Sequence, residues 1–518
     1  MLWIAGTSAQ TPAPAPQPTP ATVPSAAPTA TPTAPPIVVS PASAAVPVGS
    51  SQNIHVMAAL GQLTFSVSNS AVVDATLDQA TQILTLTGKS PGTAVVTVTD
   101  QREISAQIPV RVAYNAGSLA DAASIRITGD PASPDFVREE ATAAAAALVR
   151  ARPGAQAIVT PDLVQFTQPL AQDDIAPVAV PVLIQGEQYF SVSGTTRVRV
   201  ENVAAPTITP DSLMVSDYPE RLTENGTLFA SDVQRAQPSR FLYFHFNPAG
   251  QPARRIVLRA ENRSVEPAIV QFISGLAGPG PNEMEVGHAA TKLFLERQVQ
   301  NEGRIIVIPG SGTLELAQQD LPPNSIDCGL LQLRVLNGST VHLTLFAQDA
   351  TSSPDQPFTD TELLAGGQLH ARGIYKIPEF HYSTVWNVDS DFLELQVGDI
   401  PVPNVLNGQA LAGDYGIKQS FVVKVQNPTD HPQAIAVYED PRGGRATGTY
   451  VIDGVLIQSH GVPAFSRYKI RQYVVPARGF VRVTIVTIPD SGSSYPLRLI
   501  FAPDDGSVAP GAPGSPVY

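Results

Sequence analysis

The sequence predicts a mainly β protein: tandem β-sandwich domains, one small α+β domain and a disordered, proline-rich N-terminal linker. Three observations predict it. Charged residues make up only 15% of the chain, below the ~25% usual for globular domains, and 38 glycines and 49 prolines join abundant valine and threonine, a mix that favours strands and turns. From residue 38 onward, short alternating runs are cut by Gly, Pro and Asn at intervals of about 8–12 residues. Only one stretch, 135–150, reads convincingly as a helix.

With 518 residues the chain exceeds a single core and implies roughly three or four domains. Its 43% apolar content is enough to fill them. The net charge of −13, the pI near 5.1 and the lack of any Lys/Arg run oppose nucleic acid or anionic lipid as a partner. Cys328 is the single cysteine, so no intramolecular disulfide forms. It precedes the alternating run Leu330–Leu336 and reads as a buried strand residue.

Residues 1–9 read as the remnant of a secretory signal, with Thr7-Ser8-Ala9 supplying the small residues of a cleavage site and the upstream part missing. Residues 10–37 form a Pro/Ala/Thr-rich linker. Proline fixes φ and removes donors, so this segment stays extended at ~3.1 Å per residue, as a stalk. No stretch reaches the ~18–20 apolar residues of a membrane span. The expected location is the cell envelope or exterior.

Residues 38–114 carry strands at 54–58, 63–67, 75–77, 83–87 and 93–99, with turns at Asn69–Val73 and Lys89-Ser-Pro-Gly92. The pieces VPVGSSQNIHV, FSVSNSAVVDATL and LTLTGKSPGTAVVTVTD, with glycines at 88 and 92 before Thr93, resemble a bacterial immunoglobulin-like domain of the group 2 type. They are also similar to the N-terminal domain of the secretins of Flp-type pilus systems. The resemblance implies an Ig-like sandwich and leaves the function open, because such modules serve adhesins, wall enzymes and secretion machines alike. Phe65 stands where the group 2 pattern often has tryptophan, which implies a core position for it.

Residues 118–203 predict the α+β domain. Ser133 caps the helix, Pro134 suits its first turn, and Asp135, Glu139 and Glu140 suit its positive end. Arg150 and Arg152 suit the other end, and Pro153-Gly154 stops it. Glu139 and Glu140 are adjacent, diverge on a helix and are expected to be solvated.

The rest is expected to be one β-sandwich repeated, at 206–350 and 360–505, followed by a disordered tail, 506–518. Asn262 aligns with Asn427 and Pro267 with Pro432, both at a shift of 165. Pro309 falls over Pro476 in the following segments, and the closing strands Leu331–Leu336 and Pro496–Phe501 return to that shift. A short helix at 288–300, with Ala289, Leu293 and Leu295 toward a core, interrupts the first copy.

No nucleophile elbow, His-Glu-x-x-His, phosphate loop or dinucleotide fingerprint occurs, and the histidines are scattered, so the expectation is a protein without catalysis. Tyr375, Phe380, Tyr382 and Trp386 form an aromatic cluster suited to stacking on a sugar or a protein loop, or to filling a core. Asp389, Asp391 and Glu394, and Glu439 with Asp440, give weak Ca²⁺ signals, since calcium wants ~6–8 oxygens; no other cofactor is indicated. Three functions fit: a non-enzymatic adhesion, binding or structural protein of the bacterial envelope; a carbohydrate-binding or non-catalytic subunit of a glycan-degrading system; or a component of a pilus or secretion apparatus. The partner expected is a protein or glycan at the cell surface.

Overall fold

The computed structural model describes residues 35–352, 363–364 and 370–507. The expected leader, the linker as far as residue 34 and the tail from residue 508 lie outside the described residues. The chain is mainly β and divides into two compact units. One ends at Asn115 and takes in Gln188–Phe190; the other holds the remaining residues from Ala116 onward.

The first unit is a sandwich of two four-stranded sheets. Its strands are β1 (Val38–Ser40), β2 (Ala44–Pro47), β3 (Ser51–Met57), β4 (Thr64–Val67), β5 (Val73–Asp78), β6 (Ile83–Gly88), β7 (Gly92–Thr99) and β8 (Ser105–Ala113). The sheets run β1-β3-β6-β5 and β2-β8-β7-β4. Alternation in β6 and β7 sends Leu84, Leu86, Val96 and Val98 inward to meet Ile54, Ile108 and Val46. The glycine motif has a packing role. A Cβ on Gly88 would press on the Pro47 carbonyl, and one on Gly92 on the Val72 side chain. Phe65 differs from the expectation: it is 39% exposed, because its register on the edge strand β4 turns it outward.

The second unit begins with β9 (Gly117–Ser118), β10 (Ala122–Thr128), helix α1 (Pro134–Ala147), β11 (Arg150–Ala151), β12 (Gln156–Ile158), β13 (Ile175–Gln185) and β14 (Val192–Asn202). Ser133 Oγ accepts from Phe136 N–H as the cap. The helix stops three residues before its expected end, since Arg150–Ala151 pairs instead with Gly117–Ser118. The Arg150 guanidinium still donates to the carbonyls of Ala147 and Val149, closing the helix from outside it. Glu139 is exposed as expected, but Glu140 differs from its expected solvation. Glu139 pairs with Arg297 at 2.6 Å, and Glu140, largely buried, faces Arg304 at 3.7 Å.

Two nine-stranded sandwiches follow. The first has β15 (Ser212–Ser216), β16 (Gly226–Gln234), β17 (Ser239–Asn247), β18 (Arg254–Asn262), β19 (Ala268–Gly280), β20 (Gly303–Ile308), β21 (Gly312–Leu321), β22 (Ser325–Asn337) and β23 (Thr340–Asp349). Helix α2 (Glu283–Val299) joins β19 to β20. After the connecting strand β24 (Arg372–Tyr375), the second has β25 (Glu379–Asn387), β26 (Leu393–Val397), β29 (Lys418–Gln426), β30 (Gln433–Pro441), β31 (Ala446–Ile452), β32 (Val455–Val462), β33 (Tyr468–Val475), β34 (Phe480–Thr487) and β35 (Leu497–Pro503). A small ribbon of β27 (Val402–Pro403) and β28 (Ala410–Leu411) sits in the β26–β29 connection.

The strand orders match one for one. One sheet runs β15-β17-β22-β19-β20 in the first sandwich and β25-β29-β34-β31-β32 in the second; the facing sheets run β16-β23-β18-β21 and β26-β35-β30-β33. In both, the opening strand pairs in parallel with the third strand, and every other pair within the sandwich is antiparallel. The counterpart of β29 is therefore β17, whereas the shift of 165 laid β18 over it, one strand out of phase. The cause is shared turn chemistry. Asn262 and Asn427 each donate to the carbonyl four residues on and to a strand-end carbonyl across the sheet, Ile308 and Val475 respectively. The topological counterpart, Asn247, donates likewise to the Pro252 carbonyl, five residues on, and to that of Leu321 across the sheet. The signature Asn247-Pro248 to Pro252 recurs as Asn427-Pro428 to Pro432, a shift of 180.

The first sandwich does not stand alone. β10 pairs in parallel with β14 and antiparallel with β20, Arg126 opposite Ile305, so one ten-stranded sheet runs from β12 through to β24. Its strands β17 and β22 are buried on both faces. One face fills the sandwich core around Phe241, Phe272 and Leu331. The other packs on α2 and on Val451 and Ile488 of the second sandwich. Asn282 caps α2, which starts five residues earlier than expected, and the buried stripe is Val286, Ala290, Phe294 and Leu295, with Ala289 exposed.

Candidate binding cavity between the two sandwiches

The aromatic cluster lies in packing. Trp386 is 4% exposed and meets Phe501 edge-on at 6.3 Å; Tyr382 stacks on Phe421 at 5.1 Å with Phe380 beside it at 6.2 Å. Tyr375 is fully buried on β24. On β25, paired in parallel with β29, Trp386 and Tyr382 pack on the second core, whereas Tyr375 and the half-buried Phe380 pack on the cluster between the sandwiches.

The carboxylates proposed for calcium are not brought together. Asp389 and Asp391 are exposed in the β25–β26 turn, Glu394 pairs with Arg498 at 2.9 Å, and Asp440 pairs with Arg442. Glu439 is fully buried, accepts from Ser459 Oγ, and burial pushes its carboxyl up to about 8. A protonated acid in an apolar core is a poor cation ligand. Among the described residues, no group of three His, Cys, Asp or Glu side chains is placed to hold a metal ion.

His245, the strand histidine, is also used internally. Its ring nitrogens meet Ser216 Oγ at 3.1 Å and the Pro219 carbonyl at 2.9 Å, it stacks on Tyr243, and burial lowers it to about 4. His288 of α2 contacts Asp490 at 2.7 Å and Gln458 at 2.6 Å, and Asp490 accepts from Thr447 Oγ1 at 2.9 Å. These groups resemble the parts of an acid–base relay, but both nitrogens of His288 are engaged, and His288, Asp490 and Thr447 are buried. They clamp α2 to the second sandwich. Gly287 allows the clamp, because a Cβ there would collide with the Ser491 carbonyl. A second clamp is ionic: buried Glu379 faces Arg240 and Lys418, each at 2.8 Å.

Beside these clamps lies a cavity of about 330 Å³, at the low end of the ~300–1,000 Å³ range of ligand pockets. Val215, Leu242 and Phe244 form its wall on the first sandwich, and Leu411, Ala412 and Tyr415 its wall on the β26–β29 connection. Ser491-Gly492-Ser493 closes one end, fixed by the Tyr415 hydroxyl donating to the Ser493 carbonyl at 2.6 Å. Asp217, Glu220, Glu283 and His370 supply its charge. His370 spans the two carboxylates, 3.3 Å from Asp217 and 2.8 Å from Glu220. Burial raises Asp217 to about 6 against its bond to His370, and that same bond raises His370. Sequence reading missed this site. Its charged groups come from three segments, each more than sixty residues from the next, and no local motif joins them.

Comparison with known proteins bears on the first unit. Residues 40–113 match the family described as the pilus formation protein N-terminal region, in line with the resemblance to the N-terminal domain of Flp-pilus secretins. A comparison with curated proteins finds no match. Among solved structures, the chain is similar to the M60 catalytic domain with its CBM51-1 and CBM51-2 domains from Clostridium perfringens ZmpB, at 9% identity and a TM-score of 0.15, covering 90% of this chain and 54% of that one. The chain thus spans about half the length of that protein. It is also similar to the tandem Ig repeats of Dlar, at 10% identity and a TM-score of 0.13, covering 32% and 98%. The Bacteroides ovatus mixed-linkage glucan utilization locus protein SGBP-B follows at 10% identity and a TM-score of 0.14, covering 59% and 72%.

Proposed function

We propose that this chain is an exported, non-catalytic assembly component of a pilus or secretion apparatus of the bacterial envelope. The match of residues 40–113 to the pilus formation N-terminal region carries the reading. The second unit supports it physically. Its acid–base groups at Glu439, Asp490, His288 and His245 are spent inside cores and on clamps, which suits a rigid body that holds position under load. No helix of the described residues is long and apolar enough to cross a membrane, so on this reading a partner or an element outside them holds the chain at the envelope.

In the native host, a strain producing the chain without residues 38–114 is expected to lose surface pili or secreted cargo while the remaining protein stays folded and abundant. Normal piliation and secretion, with the shortened protein stable, would overturn the reading.

A further inference from the structure

We propose that the cavity between the two sandwiches binds an organic cation, a primary ammonium or guanidinium on an apolar stem. The inference goes beyond the assembly role and stands on the cavity alone. Its geometry offers two things at once: apolar walls from Leu242, Phe244 and Leu411, and three carboxylates, Asp217, Glu220 and Glu283. His370 offsets at most one of those charges, which leaves the site net acidic even when its ring is protonated.

A second observation is independent of that charge count. Asp217 Oδ1 is shut off from solvent and has no hydrogen-bond partner among the described residues, although its other oxygen is held by His370. Asp217 is thus a carboxylate held by His370 at one oxygen only, and a cationic donor in the cavity would gain from it and from the neighbouring carboxylates at reduced dielectric. A neutral donor would leave the net charge unanswered. An anion would be repelled. The cavity's volume fits a chain of a few carbons bearing one such head group, the size of a lysine or arginine side chain or of a small free amine.

Binding is measured by NMR and calorimetry on the full chain with n-pentylammonium, its neutral isostere n-pentanol, and the capped peptide acetyl-Leu-Lys-Leu-amide. The ammonium is expected to bind at least tenfold more tightly than pentanol, with shifts confined to residues such as Ala371, Leu411 and Tyr415. Asp217→Asn with Glu220→Gln should weaken it tenfold or more. Ala410→Trp, which fills the cavity from an exposed strand position, should abolish it without lowering the melting temperature. Tighter binding of the peptide than of the free amine assigns the source to a partner polypeptide; the reverse assigns it to a soluble amine. Equal binding of ammonium and pentanol, unchanged binding in the double variant, or no binding at all would overturn the proposal. None of these outcomes depends on piliation, so the assembly reading can fail separately.

Discussion

The two nine-stranded sandwiches share one strand order but differ in their connections, above all in the one that follows the fifth strand. Between β31 and β32 the second has a tight turn through Asp453 and Gly454; between β19 and β20 the first inserts the seventeen-residue helix α2. That helix buries one stripe on its own sheet and offers His288 and Gly287 to the other sandwich. A duplicated β domain buries little against its twin, because each copy already spends its apolar face on its own core. Here an insertion in one copy supplies the missing surface, and the pair becomes one body.

The largest test of that asymmetry is electrostatic. Glu379 opens the second sandwich beside two cations, one of them fully buried on the first. Glu379→Gln keeps the shape and strands both charges, so it should destabilise by about 3–5 kcal/mol in urea unfolding. A loss below about 1 kcal/mol would show that the pair is solvated and holds nothing together.

Gly287 and Gly454 sharpen the comparison at the differing connection. Gly287→Val drives a side chain into the Ser491 backbone and should cost about 3 kcal/mol. Gly454 has φ +78 but open space around it, so Gly454→Val should cost only about 1–2 kcal/mol of backbone strain. Equal losses would mean that α2 is no tighter a joint than the turn.

The asparagine turns test equivalence. Asn247→Ala, Asn427→Ala and Asn262→Ala each remove two donated hydrogen bonds and should cost about 1–3 kcal/mol apiece. Similar values for all three would confirm that one turn device serves successive hairpins. The smallest effect concerns pH. Burial raises Asp327 of the first sandwich to about 7 and Glu439 of the second to about 8, from ordinary values of 3.8 and 4.5. Each folded acid holds its proton where the unfolded chain has lost it. Their contributions are therefore complete below about pH 4 and lost as pH rises through about 7 and 8. Asp327→Asn should flatten the lower part of that decline and Glu439→Gln the upper part, read from urea midpoints between pH 5 and 9.

Much of the fold was legible because alternation is a local property. The five strands expected in the first unit fell within a few residues of five of its eight, and Cys328 proved to be a buried strand residue. The shift of 165 paired turns of like chemistry, but one strand out of phase. Asn262 resembles Asn427 through turn chemistry, whereas position in the sandwich is set by which strands pair far along the chain. Burial of Glu140 escaped reading for a similar reason: its partner Arg304 lies more than a hundred residues away. The aromatic cluster read as core filling ahead of a stacking surface, and the pairing of β25 with β29 places Trp386 in the second core.

The shared ladder between β10 and β20 has a practical consequence for anyone dissecting the chain. A fragment begun near residue 206 would leave β20 with a bare row of backbone donors and acceptors, next to the exposed Val307. Such a fragment invites strand pairing with its own copies and should precipitate or swap. One begun at Ala116 keeps that edge covered by its own chain, and is the shorter boundary that should stay monodisperse.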